Sequence, residues 1–458
     1  MISRSILPRS DCYNRYMLFY SFFTLLFFLI HLFIILTTKI NIFPELMFYP
    51  WLMSKGLHIY RDFGVQHGYF LQLILLPFTL DKSLFMMKSF FIALQMINLF
   101  FILRILKKTT NVLGFIIGGA LFISLNYYLT DSNLWDEIIV ASIYVFIYYL
   151  LLQKQKSTKK MIAVGILLGF ASFMKPSFMI MIIPVIIVYR SFIPALPILC
   201  IWVLSLLYFA VSQNLDVFLN SYIIFNKTYA LAPKLLSIDI PFVIRTAQVF
   251  GASLVIFLIY RKKLKNNPII LFTLLSALLF FPSLCKINLV PFGIFFSIFV
   301  GQLIGKIKKW YLFPFVIFVG FYLIFITQQA KHLYKYLQTN RLPYLENAQT
   351  TRIVSKIKSF SLKKNTIYIL GNRIEYYYFL DKIPPVWYTI IWKSAIPSFP
   401  DIEKRTIREI KKNKVTHIVI PKPADDNYSS FTELKRYIKQ TYIPLYEDKD
   451  FQLLKIKK

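Results

Sequence analysis

The sequence predicts a polytopic α-helical membrane protein carrying a small α/β domain at its C-terminal end. Three observations carry this. The 458 residues are 57% hydrophobic and 16% charged, against about a quarter charged in soluble domains. Apolar runs close to the ~20 residues needed to cross a bilayer recur along residues 1–330. Short basic clusters separate those runs, the pattern that orients helices in a membrane.

The clusters are Arg4/Arg9/Arg15, Arg104/Lys107/Lys108, Lys154/Lys156/Lys159/Lys160, Arg261/Lys262/Lys263/Lys265 and Lys306/Lys308/Lys309, with Arg190 as a weaker sixth. With all of them in the cytoplasm, the spans fall near 17–38, 84–103, 112–130, 137–152, 161–175, 177–190, 192–212, 241–260, 269–285, 288–304 and 310–327. That makes about eleven, with the N-terminus inside and the C-terminus outside the plasma membrane. The first run follows basic residues as a signal peptide does. It is too long and no small-residue cleavage site follows, so it reads as a retained span. The run "GYFLQLILLPFTL" (68–80) contains Pro77 and is too short to cross. It is expected to lie along the outer surface or dip partway in.

The net charge of +32 does not point to nucleic acid, because most positive charges before residue 330 sit in those clusters. Cys12, Cys200 and Cys285 lack metal or redox spacing, and the five histidines are scattered. No cofactor is called for. Residues 331–458 hold 25 Lys+Arg and 12 Asp+Glu without a spanning run. "NTIYILG" (365–371) and "VTHIVIP" (415–421) read as short buried strands. "DIEKRTIREIKKN" and "FTELKRYIKQ" read as amphipathic helices. Residues 1–330 therefore form the membrane domain and 331–458 an extracytoplasmic α/β domain.

Acids are rare in the membrane half, so their positions inform. The first outer loop holds Glu45 in "FPELMFYPWLMSKG" and Asp62 in "IYRDFGVQHGYF", beside Arg61 and His67. The second outer loop, "LTDSNLWDE", holds Asp131, Asp136 and Glu137. Lys175 ends the run "ASFMKPSF" at another outer edge. Each has a plain structural explanation: Glu45 as a first-turn acid after Pro44, Asp62 as the partner of Arg61, Lys175 as a snorkelling lysine.

Together the set resembles the GT-C superfamily of membrane glycosyltransferases, in particular the glycosyltransferase family 39-like group that includes protein O-mannosyltransferases and aminoarabinose transferases. The resemblance runs over most of the chain. It rests on one span followed by a long outer loop, the "G-x-x-x-Y-R-D-F" element (Gly56 to Phe63), the Gly-rich "GILLGFASFMKPS" ending in a lysine, and the tail with "IYILG" and "YYYFLDKIPP". It implies that Glu45 is the first-loop acid, where the family often has Asp-Glu and this chain has Pro44-Glu45. Asp136 best matches the second-loop acid, with Glu137 or Asp131 as alternatives. The family's Lys-Pro-Pro phrase is absent; "QHGY" stands there, and His67 takes the place of the lysine.

The resemblance implies a polyprenyl-phosphate-linked sugar as donor, a glycan, lipid or protein hydroxyl as acceptor, and inversion by single displacement. Such chemistry needs a carboxylate base for the acceptor, from among Glu45, Asp136, Asp62 and Glu137. It also needs donors where charge develops on the leaving phosphate, from among His67, Arg61 and Lys175. The alternatives are a transporter or flippase, or a polymerase or ligase, of lipid-linked saccharides. A transporter should carry ionisable groups at mid-span, and His31 and Lys88 are the clear candidates.

Overall fold

The computed structural model of the chain describes residues 10–38, 40–80, 84–130, 132–153, 157–227, 267–280, 286–306, 348–360, 366–371, 373–389, 399–422 and 431–457. The membrane part begins with α1 (Ser10–Thr37), β1 (Asn41–Ile42) and α2 (Pro44–Ser54). Next come α3 (Tyr69–Leu75), α4 (Phe85–Thr109), α5 (Val112–Thr130), β2 (Asn133–Leu134) and α6 (Asp136–Leu151). They are followed by α7 (Thr158–Met174), α8 (Ile182–Tyr189), α9 (Ala195–Val211), α10 (Leu215–Phe218), α11 (Pro268–Leu278) and α12 (Val290–Lys306). Nine of the expected spans coincide with helices; those near 241–260 and 310–327 lie outside the described residues.

Among the described residues, four stretches are long and apolar enough to cross a membrane: Tyr16–Thr37, Phe85–Thr109, Val112–Thr130 and Ile287–Lys306. The helices at the other expected spans are shorter than a full crossing. A 17-residue helix such as α7 rises about 25 Å, short of a ~30 Å hydrocarbon core. Proline explains one break. Pro176 disfavours helical backbone at the residue before it, and Lys175 is extended, with φ −154° and ψ 126°. The expected span at 177–190 accordingly splits into a 3₁₀ stretch, Pro176–Met181, and α8. The segment Tyr69–Thr79 is helical over eleven residues, too short to span, and packs against α2 and α7. Lys88 lies in the first turn of α4, not at mid-helix, whereas His31 is buried.

α12 is the most enclosed of the four long stretches. Small residues spaced by four, Gly114/Gly118 on α5 and Ser297/Gly301/Gly305 on α12, let these two helices approach closely. The Thr110 hydroxyl donates to the Gly301 carbonyl across the contact at 2.9 Å. At the periphery α1 and α9 turn large apolar side chains outward, among them Leu18, Phe33 and Val211, as expected for lipid-facing helices.

The C-terminal domain contains α13 (Ala348–Ser359), β3 (Ile367–Ile369), α14 (Glu375–Leu380) and α15 (Ile402–Lys412). β4 (His417–Pro421), α16 (Thr432–Thr441), β5 (Tyr442–Glu447) and β6 (Phe451–Ile456) complete it. The sheet order is β3-β4-β6-β5, with β3 and β4 parallel and the other pairs antiparallel. The two expected strands and two expected helices are present; the β5–β6 hairpin is additional. Its turn is set by Asp448, whose Oδ1 accepts from the amides of Asp450 and Phe451. The boundary expected at 330/331 lies outside the described residues.

This domain is packed onto the first loop. Tyr377 and Tyr378 of α14 meet Phe48 and Trp51 of α2, with ring centroids 6.0 and 5.6 Å apart. The Tyr378 hydroxyl donates to the Thr79 carbonyl, and Lys55 pairs with Asp381 at 3.1 Å. Further on, Trp387 Nε1 donates to the Tyr60 carbonyl, and its own carbonyl accepts from the Gly64 amide.

Candidate active site

Pro44 opens α2 and sets Glu45 in its first turn, where a carboxylate complements the helix dipole. Asp136 and Glu137 open α6 in the same way. The two loops are tied just before these acids. β1 pairs in parallel with β2, Asn41 opposite Asn133 and Ile42 opposite Leu134. Asn41 Nδ2 donates to Asn133 Oδ1 at 2.6 Å, and the Asn41 amide to the Ser132 carbonyl. Glu45 follows the bridge by three residues and Asp136 by two. Both acids are therefore held at the same end of the helix bundle.

Each loop presents a buried carboxylate with a basic side chain as partner. Glu45 Oε2 lies 2.9 Å from His67 Nε2 and accepts from Gln66 Nε2 at 2.6 Å. Glu137 Oε1 accepts from Lys175 Nζ at 2.6 Å, and Lys175 also donates to Asn288 Oδ1 at 3.2 Å. Trp135 lies against the first pair. Its ring is 4.2 Å from Phe43 and 5.4 Å from His67, measured between centroids. Asp136, next to it, is buried, and its Oδ1 has no hydrogen-bond partner among the described residues; the same holds for Glu137 Oε2. Two buried carboxylate oxygens without donors are costly unless something else meets them.

The positions of His67 and Lys175 follow from backbone constraints. The His67 carbonyl accepts from the Tyr60 hydroxyl at 3.0 Å, and the next amide, Gly68, donates to the Met174 carbonyl. Gly68 has no alternative here, because a Cβ would clash with the Phe173 carbonyl. The "QHGY" phrase is thus seated on the end of α7, and Pro176 turns Lys175 out of that same end.

Arg61 and Asp62 are placed differently. Arg61 donates through Nε and Nη2 to both oxygens of Asp62, and Asp62 also accepts from the His58 amide. The Arg61 hydrogen bond, with that of the His58 amide, holds the Asp62 carboxyl below its ordinary range against some desolvation. The pair is part of a tight turn closed by the Ile59–Phe63 bridge, and its hydrogen bonds run within that turn and not to the Glu45–His67 pair. Asp131 lies outside the described residues.

Gln66, Asn288, Tyr49 and Tyr388 join the site without a sequence signal of their own. Tyr49 is one helical turn from Glu45. Burial, then the Glu45 charge, pushes the hydroxyls of Tyr49 and Tyr388 above the ordinary phenol range. Among the described residues no group of three or more His, Cys, Asp or Glu is arranged to hold a metal ion.

No protein-family model matches the chain, and no curated protein matches it in sequence. Among solved structures it is similar to ArnT from Cupriavidus metallidurans, crystallised with undecaprenyl phosphate bound. The superposition covers 96% of this chain and 98% of that one, with a TM-score of 0.54 and 9% sequence identity. At that identity the likeness shows one thing: the chain has an ArnT-like membrane fold over nearly its whole length.

Proposed function

We propose that the chain transfers a sugar from a polyprenyl-phosphate donor to an acceptor hydroxyl on the extracytoplasmic face of the plasma membrane, with inversion at the sugar carbon. The observation that carries this reading is the two buried carboxylates with basic partners, Glu45–His67 and Glu137–Lys175, on loops joined by the β1–β2 bridge. The motif resemblance to GT-C glycosyltransferases supports it. So does a fold shared with a protein that binds undecaprenyl phosphate.

In this reading Glu45 takes the acceptor proton. Both of its hydrogen bonds use Oε2, and Oε1 is assigned to the acceptor proton. The acceptor oxygen forms its bond to the sugar carbon as the bond from that carbon to the phosphate oxygen breaks. Asp136 orients the acceptor or the sugar. Lys175, His67 and Arg61 meet the charge that the phosphate gains. Arg61 is more than half exposed, and an exposed pair with Asp62 is easily opened by a phosphate. Asp62 then holds Arg61 when no phosphate is bound, and holds the turn through the His58 amide.

The test is to incubate the purified protein with a panel of polyprenyl-phosphate sugars and acceptors and to measure free polyprenyl phosphate. Wild-type protein should release it. Glu45→Gln keeps size and hydrogen bonding but removes basicity, and should lower release by about 10²–10⁴-fold without changing thermal stability. A transporter or flippase would move lipid-linked saccharide without releasing lipid phosphate. Release by Glu45→Gln at the wild-type rate would overturn the assignment.

A further inference from the structure

Among the described residues, the segment Val386–Thr389 carries the C-terminal part toward the first-loop acid. Trp387 fixes this segment at both ends of its own residue: its amide donates to Glu409 Oε2 at 2.7 Å, and its carbonyl accepts from Gly64 at 2.9 Å. Its indole donates to the Tyr60 carbonyl at 3.2 Å, and Arg405 covers the ring at 4.1 Å. The next residue, Tyr388, is therefore carried on a rigid stem. It is 5% exposed. Its hydroxyl is buried and has no hydrogen-bond partner among the described residues.

A buried phenol hydroxyl is usually bonded. Tyr388 instead directly follows the residue bonded to Gly64, which lies two residues before the Gln66 that donates to Glu45, and the Glu45 charge adds to burial in raising its hydroxyl, as it does for Tyr49. Tyr49 is itself fixed, stacked on Phe63 at 5.8 Å, next to the Gly64 that holds Trp387. The C-terminal segment thus brings hydroxyl groups toward the first-loop acid, and among the described residues neither the Tyr388 nor the Thr389 hydroxyl has a hydrogen-bond partner.

We propose that Tyr388 is a specificity-determining residue, its hydroxyl bonding a hydroxyl of the sugar ring beside Glu45, so that the C-terminal domain completes the sugar subsite. The proposal rests on the glycosyl-transfer reading and adds to it. The membrane half holds the lipid phosphate, and the soluble domain reads the sugar. A site built to bond a substrate hydroxyl discriminates strongly against an analogue lacking it, because its own polar group is then left unpaired.

Two probes separate these halves: undecaprenyl phosphate alone, and undecaprenyl phosphate bearing a hexose or pentose that the wild type turns over. Tyr388→Phe removes only the oxygen. It should weaken binding of the sugar-bearing lipid by about tenfold and leave binding of the bare lipid phosphate unchanged. With deoxy-sugar donors, Tyr388→Phe should discriminate less than the wild type at one ring position. Equal effects of the substitution on both lipids, or no effect on either, would overturn the proposal, as would unaltered deoxy-sugar discrimination. Thr389→Val, tested in parallel, reports on the neighbouring hydroxyl if Tyr388→Phe fails to fold. Its selective loss of the sugar-bearing lipid would support the subsite, and its indifference would count against it. Wild-type protein that binds bare lipid phosphate but gains nothing from any sugar retains the phosphate reading and loses the sugar subsite. Protein that binds neither lipid loses both.

Discussion

Glu137 is fully buried, and its carboxylate is held by Lys175, which is partly exposed. Removing the lysine from such a pair strands a buried charge and costs about 3–5 kcal/mol when both partners are enclosed; the exposure of Lys175 puts Lys175→Ala toward the lower end. Replacing both residues by apolar ones, Lys175→Met with Glu137→Leu, should recover most of that loss. The double variant separates two roles. If the pair only ties α6 to α7, the variant should be stable and active; if Lys175 also meets the leaving phosphate, it should be stable and inactive. Thermal unfolding in detergent and release of lipid phosphate decide between them. Gly68→Ala acts at a distance from the chemistry. The added methyl displaces the turn that carries His67 against Glu45, and misplacement by about 1 Å can cost about 10²-fold in rate. Turnover should fall far more than lipid-phosphate binding, and wild-type turnover would show that His67 needs no fixed position. The members of these pairs were legible as rare charges at span ends. Their partners were not, because Glu45 meets His67 and Glu137 meets Lys175 only through tertiary packing. Asn288, Tyr49 and Tyr388 are neutral, and a neutral polar residue in an oily chain carries no mark of its site.

At the scale of elements, long apolar runs gave helices among the described residues. α4 and α5 start within a residue of their expected positions. Boundaries failed where proline intervened, as at Pro176, because a run of apolar residues continues in sequence after the helix has ended. The β1–β2 bridge was not legible, since two residues have no periodicity, yet it is what joins the two acid-bearing loops. The α5–α12 contact is written in glycine and serine spacing but names no partner by itself. α14 gives a titratable test of the soluble domain. Burial pushes the Glu375 carboxyl from 4.5 up to about 7, with Arg373 at 3.3 Å offsetting part of the cost. The folded domain therefore holds a proton that the unfolded chain loses first. Between about pH 4.5 and 7 this group makes stability fall as pH rises, by on the order of 3 kcal/mol across the window. Glu375→Gln should flatten that part of the stability profile and leave the protein more stable than wild type near pH 8. An unchanged pH profile for the variant would show that Glu375 ionises normally in the folded state.

At the scale of the whole molecule, helix direction and charge agree. α1 and α5 end, and α4 and α6 begin, at the level of the acid site, and α7 ends there at Lys175. The opposite ends carry the basic residues: Arg104, Lys107 and Lys108 close α4, Lys159 and Lys160 open α7, and Lys306 closes α12. α4 alone, at 25 residues, separates the two levels by about 37 Å, more than the ~30 Å hydrocarbon core. Positive ends favour the cytoplasm, and the proposed orientation accordingly puts the carboxylates outside. The C-terminal domain must share their side, because Asp381 pairs with Lys55 and Trp387 bonds to Tyr60 and Gly64. Its excess of 25 Lys+Arg over 12 Asp+Glu does not count against this, since long translocated domains are largely exempt from the charge rule. Single cysteines in a chain with Cys12, Cys200 and Cys285 replaced give the test. A membrane-impermeant thiol reagent added to intact cells should label cysteines at Arg61 and Asp381, both exposed in the structure. It should reach one at Thr158 only after the membrane is opened. Labelling of Thr158 in intact cells would invert the orientation. Labelling at Arg61 without labelling at Asp381 would break the docking of the soluble domain on the first loop, and with it the route by which Tyr388 reaches Glu45.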